Sequence, residues 1–133
     1  MDAISNKVLS ELFSHGVRWL SNLGRARAER KQQSINALRK VIIASRQTAV
    51  YIRQLNDTGE IDHSTESNLA VLWTELGFAL EDLQLNKLAK RCQITGKHWS
   101  NPQHFTNEFL DKADISLNKM EKMAKLILLD VQR

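Results

Sequence analysis

Four stretches of this chain repeat apolar residues at alternating steps of three and four, and that spacing limits the fold more than any short motif does. The runs are Leu9, Leu12, Gly16, Trp19 and Leu23; Ile35, Leu38, Ile42, Ser45, Ala49 and Ile52; Leu69, Leu72, Leu76, Ala79 and Leu83; and Leu110, Ala113, Leu117, Met120, Ala124, Ile127 and Val131. Such steps place each run on one stripe of an α-helix, and the stripe must be covered by another helix. The expected fold is therefore all-α: an up-and-down four-helix bundle with an extra short helix or loop between the third and last long helices. At 133 residues the chain fits one domain, 1–133, able to bury a core without disulfides. No segment alternates β-branched residues, so strand is not expected anywhere.

The few breaks divide the helices. Gly24 follows Leu23 as a helix-ending residue, and the second helix runs from about Arg25 or Arg30 to Asn56. Asn56-Asp57-Thr58-Gly59 is a turn cluster. A third helix is expected from near Ser64 or Thr65 to about Gln84, then a short piece from Asn86 to about Gln93 that Gly96 ends. Asn101-Pro102 starts the last helix, with Thr106 as the alternative cap, and that helix continues to Arg133.

Several chemistries are missing. Cys92 is the single cysteine, so no internal disulfide forms, and with no apolar signal segment the chain reads as cytoplasmic. It has no Gly-rich phosphate loop, serine elbow, helical histidine pair or complete calcium loop. Cys92, His98 and His104 are each six residues apart, whereas zinc sites use closer pairs and a fourth ligand. No metal, cofactor or small-molecule substrate is expected, and enzyme is the minority reading.

The charges are segregated although the net value is only +4. Arg18 to Arg53 holds nine Lys or Arg and one acid, Glu29, while Asp57 to Asn86 holds seven acids and no Lys or Arg. Arg25, Arg39, Arg46 and Arg53 share a seven-residue register broken only by Gln32, forming a stripe beside the apolar seam. One use of this stripe is pairing with Glu75, Glu81 or Asp82 of a neighbouring helix. The other is an anionic partner, either an acidic protein surface or a nucleic-acid backbone, since guanidinium suits phosphate.

The outer helices carry more apolar surface than one seam needs. The first presents Leu9, Phe13 and Trp19 on a broad face, which suits a partner chain or, as a lesser reading, an anionic membrane surface. The last adds Phe109, Met123, Leu126, Leu128 and Leu129 beside its own seam. Leu9, Phe13, Trp19, Leu126 and Leu129 are accordingly the candidate partner-binding residues.

The segment from Leu88 to Pro102 concentrates unusual side chains, among them Arg91, Cys92, His98 and Trp99. Arg91 and His98 are separated by six residues, a spacing similar to the short motif of the HEPN superfamily. The resemblance implies a dimeric RNA-cleaving bundle in which Arg91 holds the phosphate and His98 does acid–base work. It rests on two residues, and it departs from the family's pattern at Cys92 and at Gly96.

The reading favoured by the residues is a non-catalytic helical adaptor or accessory subunit. It binds another protein, or itself, through its first and last helices, with the Arg stripe for an acidic or phosphate-bearing partner. A HEPN-like ribonuclease using Arg91 and His98 is the alternative, and membrane-surface binding through the first helix is a further one.

Overall fold

The computed structural model describes the backbone of residues 2–133 and the side chains of residues 26–133. Its elements are α1 (Asp2–Thr58), α2 (His63–Asp82), α3 (Asn86–Ser100), a 3-10 turn (Pro102–His104), α4 (Asn107–Lys112) and α5 (Leu117–Gln132). Among the described residues there is no strand, and no helix is long and apolar enough to cross a membrane. Backbone contacts divide the chain into two units, Met1–Gln32 and Gln33–Arg133. Leu9, Phe13, Trp19 and Arg25 belong to the first unit and lie outside the residues whose side chains are described.

Two expected breaks are absent. α1 runs through Gly24 without ending; an interior glycine costs only about 1 kcal/mol against alanine, and the residues that follow it are strong helix formers. α3 likewise continues through Gly96 to Ser100. Gly96 is there for packing: a Cβ at this position would meet the Thr74 hydroxyl, and would stand 2.8 Å from the Thr74 nitrogen and 3.0 Å from the Ala70 carbonyl oxygen. Gly77 does the same from α2, where a Cβ would lie 2.5 Å from Gln93 Cγ and 3.1 Å from the Ala89 oxygen. The two helices thus cross nearly backbone to backbone.

Where helices do end, local hydrogen bonds say why. Gly59 closes α1 in the left-handed region (φ 69°), its N–H donating to the Leu55 oxygen at 2.8 Å. The Asp62 carboxylate then caps α2 by accepting from the N–H groups of Ser64 and Thr65. α2 stops at Gln84 (φ 61°), with Leu85 N–H returning to the Leu80 oxygen at 2.9 Å. The last helix, expected to be continuous, is two. Thr106 caps α4, Asp114 turns left-handed (φ 60°) with Ile115 N–H reaching back to Leu110, and Ser116 caps α5. Aspartate tolerates this conformation better than most side chains, and the turn buries Ile115.

The core lies between the second unit's helices. On α1 the buried positions are Ser34, Ala37, Leu38, Val41, Ala44, Ser45, Thr48 and Tyr51; on α2 they are Glu66, Leu69, Trp73, Leu76, Gly77 and Leu80. α3 contributes Leu88, Ala89, Cys92, Thr95 and Trp99, and α5 contributes Met120 and Ala124. The expected seams contain Leu38, Ser45, Leu69 and Leu76 but sit about one residue off centre, leaving Ala49 and Ala79 exposed. The displacement brings Thr48 inward, where its hydroxyl accepts from the Trp73 indole N–H at 2.9 Å and donates to the Ala44 carbonyl at 2.7 Å. A fully buried indole needs that acceptor.

Replacing Gly96 with alanine is expected to cost about 1–3 kcal/mol, because backbone rather than a flexible side chain must move. Thr48→Val leaves the Trp73 N–H without an acceptor and is expected to cost about 1–3 kcal/mol as well. Both losses would appear as lower urea midpoints; an unchanged midpoint for Gly96→Ala would mean that α2 and α3 do not approach this closely.

Candidate functional site

Continuing the buried register of α2 back from Trp73 and Leu69 reaches Glu66, one turn inside the helix. The register gives this carboxylate no choice of face, and Glu66 is only 9% exposed. Tyr51 of α1 is buried nearby, its hydroxyl oxygen accepting the Asp62 N–H at 3.0 Å. Burial raises the Tyr51 phenol above its ordinary value of 10.0; the Asp62 hydrogen bond opposes the rise and the Glu66 charge adds to it. His63 Nδ1 stands 3.9 Å from Glu66 Oε1, beyond hydrogen-bond length.

Across from these, α3 supplies His98 and Trp99. Trp99 meets Tyr51 edge-on at 5.7 Å between ring centroids, and His98 meets Trp99 at 5.0 Å and Phe105 at 5.8 Å. The His98 Nδ1 is buried without a hydrogen-bond partner. Burial lowers the His98 pKa below 6.5, and the Glu66 charge works against that shift.

Two cavities flank Trp99, which lines both. One, of about 510 Å³, is bounded by Glu66, Ser67, Val71, Trp99, Asn101 and Pro102. The other, of about 420 Å³, is bounded by Thr95, His98, Trp99, Asp111, Ser116 and Leu117.

Arg91 and His98 share one unbroken helix and one face of it, about 10 Å apart along the axis. Their surroundings differ. The Arg91 side chain is 16% exposed; Nη2 donates to Asp114 Oδ2 at 3.3 Å and Nη1 to the Lys87 carbonyl at 3.1 Å, while Nε is buried without a partner. Lys119 holds the same Asp114 at 2.9 Å, and its hydrogen bond, followed by that of Arg91, keeps the carboxyl below its usual range. Arg91 therefore clasps the left-handed turn between α4 and α5.

The other sequence candidates are dispersed. Arg46 pairs with Glu121 of α5 at 2.9 Å while its side chain stays 70% exposed, and Arg53 lies 4.0 Å from Asp57 of its own helix. Arg39 is exposed. Arg46 and Arg53 thus meet Glu121 and Asp57 rather than Glu75 or Glu81. Leu126 and Leu129 are exposed on α5. Cys92 is fully buried, and burial pushes its thiol up to about 12. Among the described residues no group of three or more His, Cys, Asp or Glu is arranged to hold a metal ion. Glu66 and Tyr51 were not among the sequence candidates; the signal for Glu66 was its position three residues before Leu69 and seven before Trp73.

No protein-family model matches the chain, and no curated protein or solved structure is significantly similar to it.

Two chemical predictions follow from these environments. The Cys92 thiol should stay unreactive toward a disulfide reagent at neutral pH and react fully once urea unfolds the chain. Because the folded His98 resists protonation, the unfolded chain takes up that proton first, near pH 6.5. The His98 contribution is complete above this pH and lost as pH falls through it. His98→Gln should flatten the slope of stability between about pH 7 and pH 5, read from urea midpoints.

Proposed function

We propose that this chain is a non-catalytic helical interaction module, an up-and-down four-helix bundle whose α5 helix pairs with a protein surface, a second copy of the chain being the best-fitting one. The observation that carries the reading is the exposure of Leu126 and Leu129, at 60% and 61%, on a helix whose opposite side holds Met120 and Ala124 in the core. Residues three apart on one helix form a contiguous apolar patch.

A second copy fits because the patch is self-complementary. Two antiparallel α5 helices crossing between Ile127 and Leu128 set Leu126 against Leu129 of the second copy and Lys125 beside its Asp130. Lys122 and Arg133 fall opposite one another farther from the crossing, where long side chains turn outward to water. Arg46, exposed and bonded to Glu121 at the edge of α5, extends a basic margin toward Arg39 and Arg53 for an acidic or phosphate-bearing surface. The broad face of the first helix, with Leu9, Phe13 and Trp19, belongs to the same reading, as does a cytoplasmic setting. The engaged Arg91 guanidinium and the protonated Cys92 thiol support a non-catalytic role.

A second reading, RNA cleavage by a HEPN-like dimer, draws on one observation: the unbroken α3 carries Arg91 and His98 on one face. The two readings separate cleanly. Light scattering should give the purified chain a mass near twice 15.2 kDa, and Leu126→Asp with Leu129→Asp should return it to monomer with its helical signal intact. A monomer at every concentration would overturn the self-pairing reading, and RNA cleavage lost in both Arg91→Ala and His98→Ala would replace it with the ribonuclease.

A further inference from the structure

A carboxylate in a protein interior is costly unless a cation or several donors meet it. Glu66 is nine-tenths buried; the Tyr51 phenol meets it through its charge and a side-chain hydrogen bond, its charge also reaches His98, and His63 Nδ1 stands 3.9 Å away. None is a close permanent cation. The carboxylate instead borders the cavity of about 510 Å³ between the first half of α2 and the end of α3. Among the described residues no Lys or Arg and no second acid lines that cavity, so Glu66 is its one formal negative charge, with His63 beside it on the wall. Trp99, Ile61, Val71 and Pro102 supply apolar wall, and Ser67 and Asn101 supply polar groups able to accept from an N–H.

From this juxtaposition we infer that the cavity is a binding site for a small organic cation, an alkylammonium whose charged head meets Glu66 and whose hydrocarbon part rests on Trp99, Val71 and Pro102. The volume lies in the range of small-molecule sites. A divalent metal ion does not fit the lining, since hard cations collect six or more oxygen ligands, this cavity offers one carboxylate, and no group of three or more His, Cys, Asp or Glu is arranged for a metal among the described residues. An anion is repelled by the same charge. Aromatic wall beside a carboxylate is the combination that recognises ammonium heads, through the ring's negative face and a charge-assisted hydrogen bond. No residue of α5 lines this cavity, so the site stands apart from the pairing surface proposed above.

The test is a titration of the full chain with n-butylammonium, followed by amide and indole NMR shifts, with n-butanol as the neutral control. Saturable shifts at the Trp99 indole N–H and the Ser67 and Asn101 amides are expected, half-complete near about 1 mM, and absent with n-butanol. Glu66→Gln should weaken binding at least about tenfold. Should that variant fold poorly, Val71→Phe, placed at an exposed position on the cavity wall, should block the ligand with the fold retained. Shifts of equal size with n-butanol, shifts that survive Glu66→Gln, or no saturable shift with the native chain would each overturn the site.

Discussion

The close crossing of α2 and α3 at Gly77 and Gly96 is the constraint on which the second unit depends. A Cβ at Gly96 would stand 2.8 Å from Thr74 backbone, and one at Gly77 would meet the Gln93 side chain at 2.5 Å with backbone 3.1 Å away, so neither position takes a larger residue without a shift of its neighbours. Near-contact of backbones turns α3 so that Leu88, Ala89, Cys92, Thr95 and Trp99 face inward together. It also seats Trp73 wholly inside, where Thr48 must satisfy the indole. Small residues at the crossing and large ones beside it are two halves of one packing solution.

This is also where the sequence was hardest to read. Glycine after an apolar run signals either a helix end or a close approach, and local spacing does not separate the two. Gly59 is the first kind and was legible, because Asn56, Asp57 and Thr58 reinforce it as a turn. Gly96 is the second kind, legible only once Thr74 and Ala70 are known to lie across from it. The converse holds at Asp114, a helix stop with no glycine, held instead by Ser116 as the next cap and by Lys119 and Arg91 on its carboxylate. Helical class and the α1–α2 turn came from periodicity and turn chemistry; the interruption of the last helix came from tertiary contacts.

The candidate site shows the same division. Arg91 and His98 stand out in the sequence as residue types at a spacing, and α3 does align them, but each side chain is governed by what packs on it: an ion pair for one, an aromatic cluster for the other. Glu66 is inconspicuous in the sequence, one acid among seven in a charged stretch. Its meaning lies in register, since extending the buried positions of α2 by one turn places a carboxylate where an apolar residue is ordinary.

The charge clusters at Asp114 and at Glu66 differ in a way that makes one structural and the other a site. Around Asp114 the charge is matched within the fold: Lys119 and Arg91 both reach its carboxylate, and the Arg91 guanidinium is further bonded to the Lys87 carbonyl. Apart from the buried Arg91 Nε, which has no partner, this cluster is matched internally, and its product is a fixed turn between α4 and α5. Around Glu66 the partners are the Tyr51 phenol and a histidine beyond hydrogen-bond length, neither of them a permanent cation, and a cavity opens beside the carboxylate. Burying a carboxylate without a permanent cation carries a desolvation cost. It is relieved when a cation enters from the cavity, so the favourable step is deferred from folding to binding.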